Sequence, residues 1–456
     1  MTTVPDPAVT SSAAERAGRA AAPRPRVGVL HAPHGAAGLH DIFAAARGLC
    51  DVVLLVRAPV AAAHPELVAA AERIFEVRVL PPGEDHGRAL RLDGVVTFHD
   101  AELDHCDRIA ADLGLRTAPA LASAWDKLVQ RQVLARSGIS RVTALPVESA
   151  DDFVAACDVL AGPCVLKPRR GASGRGIAFI EDGEDVAYQL ATRRQWTGHL
   201  VETMIAATGH PTGIPWLSDF TSVETVSHAG ARHHVAMFDK TPISLVRRAG
   251  QDGGDSIATT GDLTPSRLGA DLREKALRRV DAALDALGVR WRVTHTELWI
   301  MGDDVEIIEV NGRVGGHLNR LLRLTGGPDL VRCALAAAAG IRLPADVPLA
   351  TGYAAGLFMP FPQRDGLVRA DVGRGDIRRL PGVVGVDEVA KQGEPRSAHG
   401  YRMANFTVFA EDQDTFDRCL RDVFAGVARL FEADGLIRDP WMGRVCPSIQ
   451  EERENS

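Results

Sequence analysis

The chain lacks most of the signals that would assign it quickly. Its seven cysteines (Cys50, Cys106, Cys157, Cys164, Cys333, Cys419 and Cys446) are odd in number, scattered and never spaced C-x-x-C. That argues against a structural zinc site and for a reducing compartment, so a cytoplasmic protein is expected. No stretch of ~20 apolar residues occurs, so no membrane span is expected. Residues 1–25 are rich in Ala, Pro, Ser and Thr without an apolar run, and they read as a disordered tail rather than a signal peptide. A formal net charge of −7 gives no hint of a nucleic-acid partner. The Gly-rich turn HAPHGAAG lacks G-x-G-x-x-G, and the loop LKPRRGASGRGI is not a G-x-x-x-x-G-K-[ST] phosphate loop. No Ser-His-Asp or Cys-His signature for a nucleophilic enzyme stands out.

What is present fits a soluble, multi-domain protein. The 456 residues exceed one core and suit roughly two to four domains. Arg26–Leu30, Asp51–Val56 and Gly94–Phe98 read as buried strands, with a helix over Leu39–Gly48. The alternation predicts a doubly wound α/β domain over residues 26–120. Ala122–Ser137 reads as a helix stopped by Gly138. Val165–Pro168 and Ile177–Ile180 flank a glycine-rich loop as hairpin strands would, and Leu200–Met204 is a further apolar segment. Ser222–Val226 and His234–Phe238 read as strands of another sheet, and Asp271–Leu287 as a helix ended by Gly288. From about 345 to 445 the chain turns to short strand-like pieces and then a helix over Asp414–Ala433, a separate appended domain by composition. Residues 446–456 read as a tail.

Thr296–Gly316 (TELWIMGDDVEIIEVNGRVGG) carries the most chemistry. It reads as two strands around Gly302-Asp303-Asp304, because the flanking residues are β-branched. With those three in the loop, Met301 pairs with Val305 and Glu297 falls opposite Glu309. Glu309, Asn311 and Arg313 share one face by the period-two rule. Two carboxylates and an amide oxygen suit a hard divalent cation such as Mg²⁺, with Mn²⁺ as a substitute. Arg313 just beyond could grip a phosphoryl group. The bland alternative is a solvated acidic hairpin. Gly171, Gly174 and Gly176, with Ser173 among them, allow backbone N–H groups to approach phosphate, and Lys167 precedes them. Lys127 alone reads as a surface lysine, and Glu202 as a strand-edge charge. His295 reads as a satisfied structural histidine, with orienting a substrate as the alternative; Arg320 and Arg323 read as helix-face charges or as contacts to a substrate carboxylate, and Trp299 as core. The segment after Lys240, RRAGQDGGDS, is either a lid or a surface loop.

These pieces, in this order, resemble the ATP-grasp superfamily. The match runs from Asp126-Lys127 through Lys167-Pro168, the GASGRG loop, Glu202, Ser222-Val223-Glu224, Lys240 and Glu297 to the Glu309–Gly316 run, over roughly residues 26–340. It looks most like the L-amino acid (dipeptide) ligases. The resemblance implies an α/β with α+β fold, with an ATP-grasp domain over 121–344. Its small lobe would cover about 140–205 and its large lobe about 206–344. It implies a carboxylate–amine ligase that uses ATP and Mg²⁺ to form an amide through an acyl phosphate. Its partners would be small-molecule carboxylates and amines, with a homodimer as one option. Carboxylase, nucleotide-biosynthetic ligase and non-catalytic ATP-binding module are the alternatives. Carried over, Lys127 and Lys167 would hold phosphates under the Gly171–Gly176 loop. Glu202, Thr203, Met204 and Ile205 would form the adenine hinge. Glu297, Glu309 and Asn311 would bind metal, and Arg313 and Lys240 would serve catalysis. Asp219 takes the ribose role, one register from the usual place, which Phe220 occupies. The 206–218 segment is longer than the usual hinge turn.

Overall fold

The computed structural model describes residues 23–81, 90–117, 124–171, 174–206, 208–246, 256–342, 350–361 and 366–434. The tail, Ser173 and most of the segment after Lys240 therefore lie outside the described residues. Three sheets position everything that follows, beside one two-stranded hairpin (Ser244–Val246 with Ser256–Ala258).

The first sheet is parallel, in the order Glu76–Leu80, Asp51–Arg57, Arg26–Leu30, Gly94–Thr97. Its central strands are β-branched or leucine-rich and almost wholly buried, as a sheet covered on both faces requires. Helices Leu39–Ala46 and Leu103–Asp112 pack on it.

The second sheet is antiparallel, in the order Ala144–Val147, His199–Thr203, Cys164–Pro168, Ala178–Ile180. The hairpin read around the glycine loop is present, with Cys164 opposite Ile180. Helix Lys127–Arg136 leads into this lobe. It begins later than its apolar pattern suggests because Asp126 caps it, accepting from the Leu128 and Val129 amides.

The third sheet has eight strands. Its order is Asp304–Asn311, Arg292–Met301, Phe220–His228, Ala231–Lys240, Gly261–Thr264, Tyr353–Pro360, Arg402–Ala410, Val383–Val389. The C-terminal strands thus continue this sheet through the pairing of Gly261–Thr264 with Tyr353–Pro360. They bury their own core around Phe406, Phe416 and Phe431 under helix Gln413–Leu430. Helix Ala270–Ala286 covers the other end of the sheet through Ala276, Val280 and Leu284.

One expected detail is wrong in an instructive way. The hairpin turn is Gly302-Asp303 alone, so Met301 pairs with Asp304, not Val305. Gly302 takes the left-handed φ of +66° that this tight turn needs. A bulge between Leu298 and Glu297 then adds one residue on the second strand, and Glu297 still faces Glu309.

Among the described residues no helix is long and apolar enough to cross a membrane.

Candidate active site

The hairpin brings its acids to one end of the third sheet, where helix Lys127–Arg136 and the first domain meet it. Glu309 is the centre of the cluster. Lys127 Nζ lies 3.1 Å from its Oε2, and Asn311 Nδ2 donates to its Oε1 at 2.9 Å. Burial by itself would raise this carboxyl, but Lys127 and Asn311 bring its pKa down to about 2. Lys127 also donates to the Gly171 carbonyl at 3.0 Å, so the first residue of its helix reaches the glycine loop.

Lys167 is buried rather than free in the loop mouth. It donates to Glu202 Oε1 at 2.6 Å, and Arg131 Nε donates to Glu202 Oε2 at 2.7 Å. Arg131 continues to the carbonyls of Ile307 and Ile308 at 2.6 and 2.8 Å. Glu202 is therefore no strand-edge charge. Its burial would favour the neutral acid, yet Arg131 and Lys167 hold it below the ordinary carboxylate range. Burial pushes Lys167 down despite Glu202. Thr203, Met204 and Ile205 follow on the same strand end, half-buried, with Met204 N bonded to the Pro163 carbonyl at 3.0 Å.

The glycine loop is docked. Gly174 and Gly176 have φ of +65° and +72°, which side-chain-bearing residues rarely adopt. A Cβ on Gly174 would strike the Ile257 backbone, which donates to the Gly174 carbonyl at 2.9 Å. The hairpin Ser244–Val246 with Ser256–Ala258 thus sits directly on the loop.

Glu297 reaches a histidine. His295 is buried, with Nδ1 on Glu224 and Nε2 3.0 Å from Glu297 Oε1. Burial pushes its pKa down, but Glu224 and Glu297 outweigh that and raise it to about 9. His295 is a satisfied cation that spans two acids. Its place was legible, since it lies two residues before Glu297 and shares its face. Gly315 is required beside it, because a Cβ there would sit 2.7 Å from His295 Nδ1 and 2.8 Å from Glu224 Oε1. Gly312 plays the same part against the Trp125 ring, 2.5 Å from where its Cβ would be.

Arg313 is gripped from the first domain. Its Nε and Nη2 donate to Asp100 at 2.7 and 2.6 Å, and its Nη1 to the Val314 carbonyl at 2.9 Å. Such a bidentate pair fixes the guanidinium plane. Lys240 forms a buried ion pair with Asp262, directly across the sheet from it, and His317 Nε2 lies 3.1 Å from the same carboxylate. Asp219 heads the strand Phe220–His228, accepting from Ser218 Oγ at 2.9 Å, while Phe220 packs on the half-buried Trp299 with ring centres 5.5 Å apart. Arg320 pairs with Asp387 at 2.5 Å. Sequence reading passed over Asp100, Arg131, Asp262 and His317. They come from other strands and helices, and no local spacing announces them.

Glu297, Glu309 and Asn311 offer two carboxylates and, because the Asn311 NH₂ is spent on Glu309, an amide oxygen. Among the described residues no group of three or more His, Cys, Asp or Glu is arranged to hold a metal. The donor set fits Mg²⁺ only as a partial shell that phosphate oxygens complete, which is how that ion is commonly bound. Lys127, Lys167, Lys240 and Arg313 each already face an acid, so an anionic ligand at them would exchange partners rather than meet bare charge.

No family model matches the chain. The alanine–anticapsin ligase of Bacillus subtilis is 26% identical over 242 residues, 49% of this chain and 49% of its own length. The formate-dependent phosphoribosylglycinamide formyltransferase of Nitratidesulfovibrio vulgaris is 28% identical over 217 residues, 44% of this chain and 47% of its own. The chain spans about half the length of the curated relatives it matches. The solved L-amino acid ligase of Bacillus licheniformis superposes with a TM-score of 0.61 at 17% identity, over 88% of this chain and 97% of that one. A carboxyaminoimidazole ribonucleotide synthase of Aspergillus clavatus, complexed with ATP, gives a TM-score of 0.62 at 15% identity, over 89% and 99%. The chain has the ATP-grasp fold. Arg131 ties the second sheet, through Glu202, to the hairpin that carries Glu297 and Glu309.

Proposed function

We propose that the chain is an ATP-dependent carboxylate–amine ligase that joins amino acids or related small molecules through an acyl phosphate. The observation that carries this reading is the meeting of Lys127, Glu309, Asn311 and Glu297 at one sheet end, within reach of the glycine loop. Lys127 and Lys167 would bind the phosphates of ATP, and the Gly171–Gly176 loop would shield them from water. Mg²⁺, held by Glu297, Glu309 and Asn311, would supply charge that screens the approach of a carboxylate to the γ-phosphate. Arg313, pinned by Asp100, would stabilise the equatorial oxygens of the transferring group. The amine then displaces phosphate from the acyl carbon, so no nucleophilic side chain is required.

The likeness to an L-amino acid ligase and to alanine–anticapsin ligase favours amino-acid substrates. The likeness to a ribonucleotide synthase and a formyltransferase supports nucleotide precursors as the second reading. All six cysteines described are free, which supports a reducing, cytoplasmic setting. A phosphate-release screen over amino-acid pairs and, in separate wells, ribonucleotide amines, each with ATP and Mg²⁺ and mass detection of products, tests the reading. Phosphate together with a condensed dipeptide is expected. Turnover only with ribonucleotide amines would favour the second reading, and no ATP turnover with any pair would reject the first.

A further inference from the structure

A cavity of about 680 Å³ opens beside Gly316, three residues past Arg313. Its walls come from Gly35, Ala36 and Asp41 of the first domain, from His317 at the N-cap of helix Leu318–Leu324, and from Arg320 and Arg323 within that helix. His317 is the N-cap residue of that helix, yet its side chain makes no capping bond. Something else seats the ring. A Cβ on Gly356 would strike its Nε2 and Cδ2 edge, so glycine is what lets the ring lie against that strand. Phe358 meets the ring edge-on at 4.6 Å between centres. Asp262 Oδ2 lies 3.1 Å from Nε2, and Lys240 fixes Asp262 from its other side. Asp262 is thus the acceptor that stands beside the Nε2 edge of the ring. The Nε2 edge is packed inward, whereas the side chain as a whole remains 27% exposed and lines the cavity, which leaves the Nδ1 edge as the side available to a ligand there.

We propose that His317 is the base that deprotonates the incoming amine, with Asp262 and Lys240 as positioning residues behind it. This rests on the ligase reading above. A carboxylate on one ring nitrogen leaves the other free to accept a proton, the same division of labour used wherever an imidazole serves as base. The amine nitrogen must lose two protons to become an amide. The first passes from its ammonium to His317 Nδ1, which frees the lone pair to attack the acyl carbon. The bond from that carbon to the phosphate oxygen then breaks, and phosphate leaves with the electron pair and takes the second proton. His317 returns its proton to water. The charged groups around this ring are Asp262, which Lys240 holds, and the other cavity-lining charges, Arg320 and Arg323 of its own helix and Asp41 of the first domain.

Hydroxylamine separates the steps, because at neutral pH it is largely unprotonated and captures an acyl phosphate without a base. Wild type and His317→Asn are mixed with ATP, Mg²⁺ and the standard amino acids, with and without hydroxylamine, and hydroxamate and dipeptide are quantified. In the variant, dipeptide is expected to fall by roughly 10²-fold or more while hydroxamate stays within about 2-fold of wild type. Retained hydroxamate also shows that the variant is folded. Asp262→Asn should give the same split to a smaller degree. Dipeptide and hydroxamate both unchanged, or both lost together, overturns the assignment. No hydroxamate from wild type removes the ligase reading itself, and this assignment with it.

Discussion

Glu309→Gln is the most informative single substitution, because the change is nearly isosteric and removes only charge. Glu309 is about one-fifth exposed and faces Lys127 at 3.1 Å. Breaking a fully buried pair costs ~3–5 kcal/mol. Here Lys127 keeps the Gly171 carbonyl at 3.0 Å and some access to water. A stability loss of about 1–3 kcal/mol is therefore expected, read as a lowered thermal midpoint. The effect on turnover should be larger. If Glu309 is one of two carboxylates for the proposed cation, its loss should raise the barrier by roughly 3–4 kcal/mol, about 10²–10³-fold in kcat. Nucleotide binding should persist in part, within about 10-fold in Kd by calorimetry, since Lys127 is then free to meet phosphate. ADP release measured against Mg²⁺ concentration distinguishes these effects. Turnover like wild type at ordinary Mg²⁺ would refute the metal assignment of Glu309.

Three further substitutions probe the same cluster. Lys167→Ala should weaken ATP binding by about 10-fold or more, and an unchanged affinity by calorimetry would dismiss its phosphate role. Gly315→Ala forces a methyl against His295 and Glu224, whereas Gly316 has open space around its Cβ position. The first should cost ~1–3 kcal/mol in chemical denaturation and the second far less; equal midpoints would show that the His295–Glu224 packing is not tight. Asp100→Asn should lower kcat by roughly 10-fold with nucleotide affinity kept, because Arg313 loses its bidentate partner. A fall in affinity at constant kcat would place Arg313 in ground-state binding instead.

The strands were legible because their β-branched and leucine-rich runs are buried on both faces of a sheet, as in Arg26–Leu30 and Asp51–Arg57. The opposition of Glu297 and Glu309 was reached by a route the chain does not take. A shorter turn and a bulge cancel, and pattern reading cannot see a bulge whose two residues, Ile307 and Ile308, are both ordinary strand formers. The ordered lysines, glycines and acids could be found because each lies in a local run. Their partners could not. Arg131 reaches Glu202 across 71 positions, and Asp100 reaches Arg313 across 213. Such pairs are set by how sheets and lobes pack, which local periodicity does not encode. The continuation of the third sheet into the C-terminal strands is likewise a long-range event, made by the four residue pairs between Gly261–Thr264 and Ala354–Leu357.

Transfer of oxygen from a doubly ¹⁸O-labelled carboxylate substrate is the most direct test of chemistry through an acyl phosphate. One labelled oxygen per turnover should appear in the inorganic phosphate released beside ADP, and one should remain in the amide. Unlabelled phosphate, or label found in AMP, would contradict the proposed reaction.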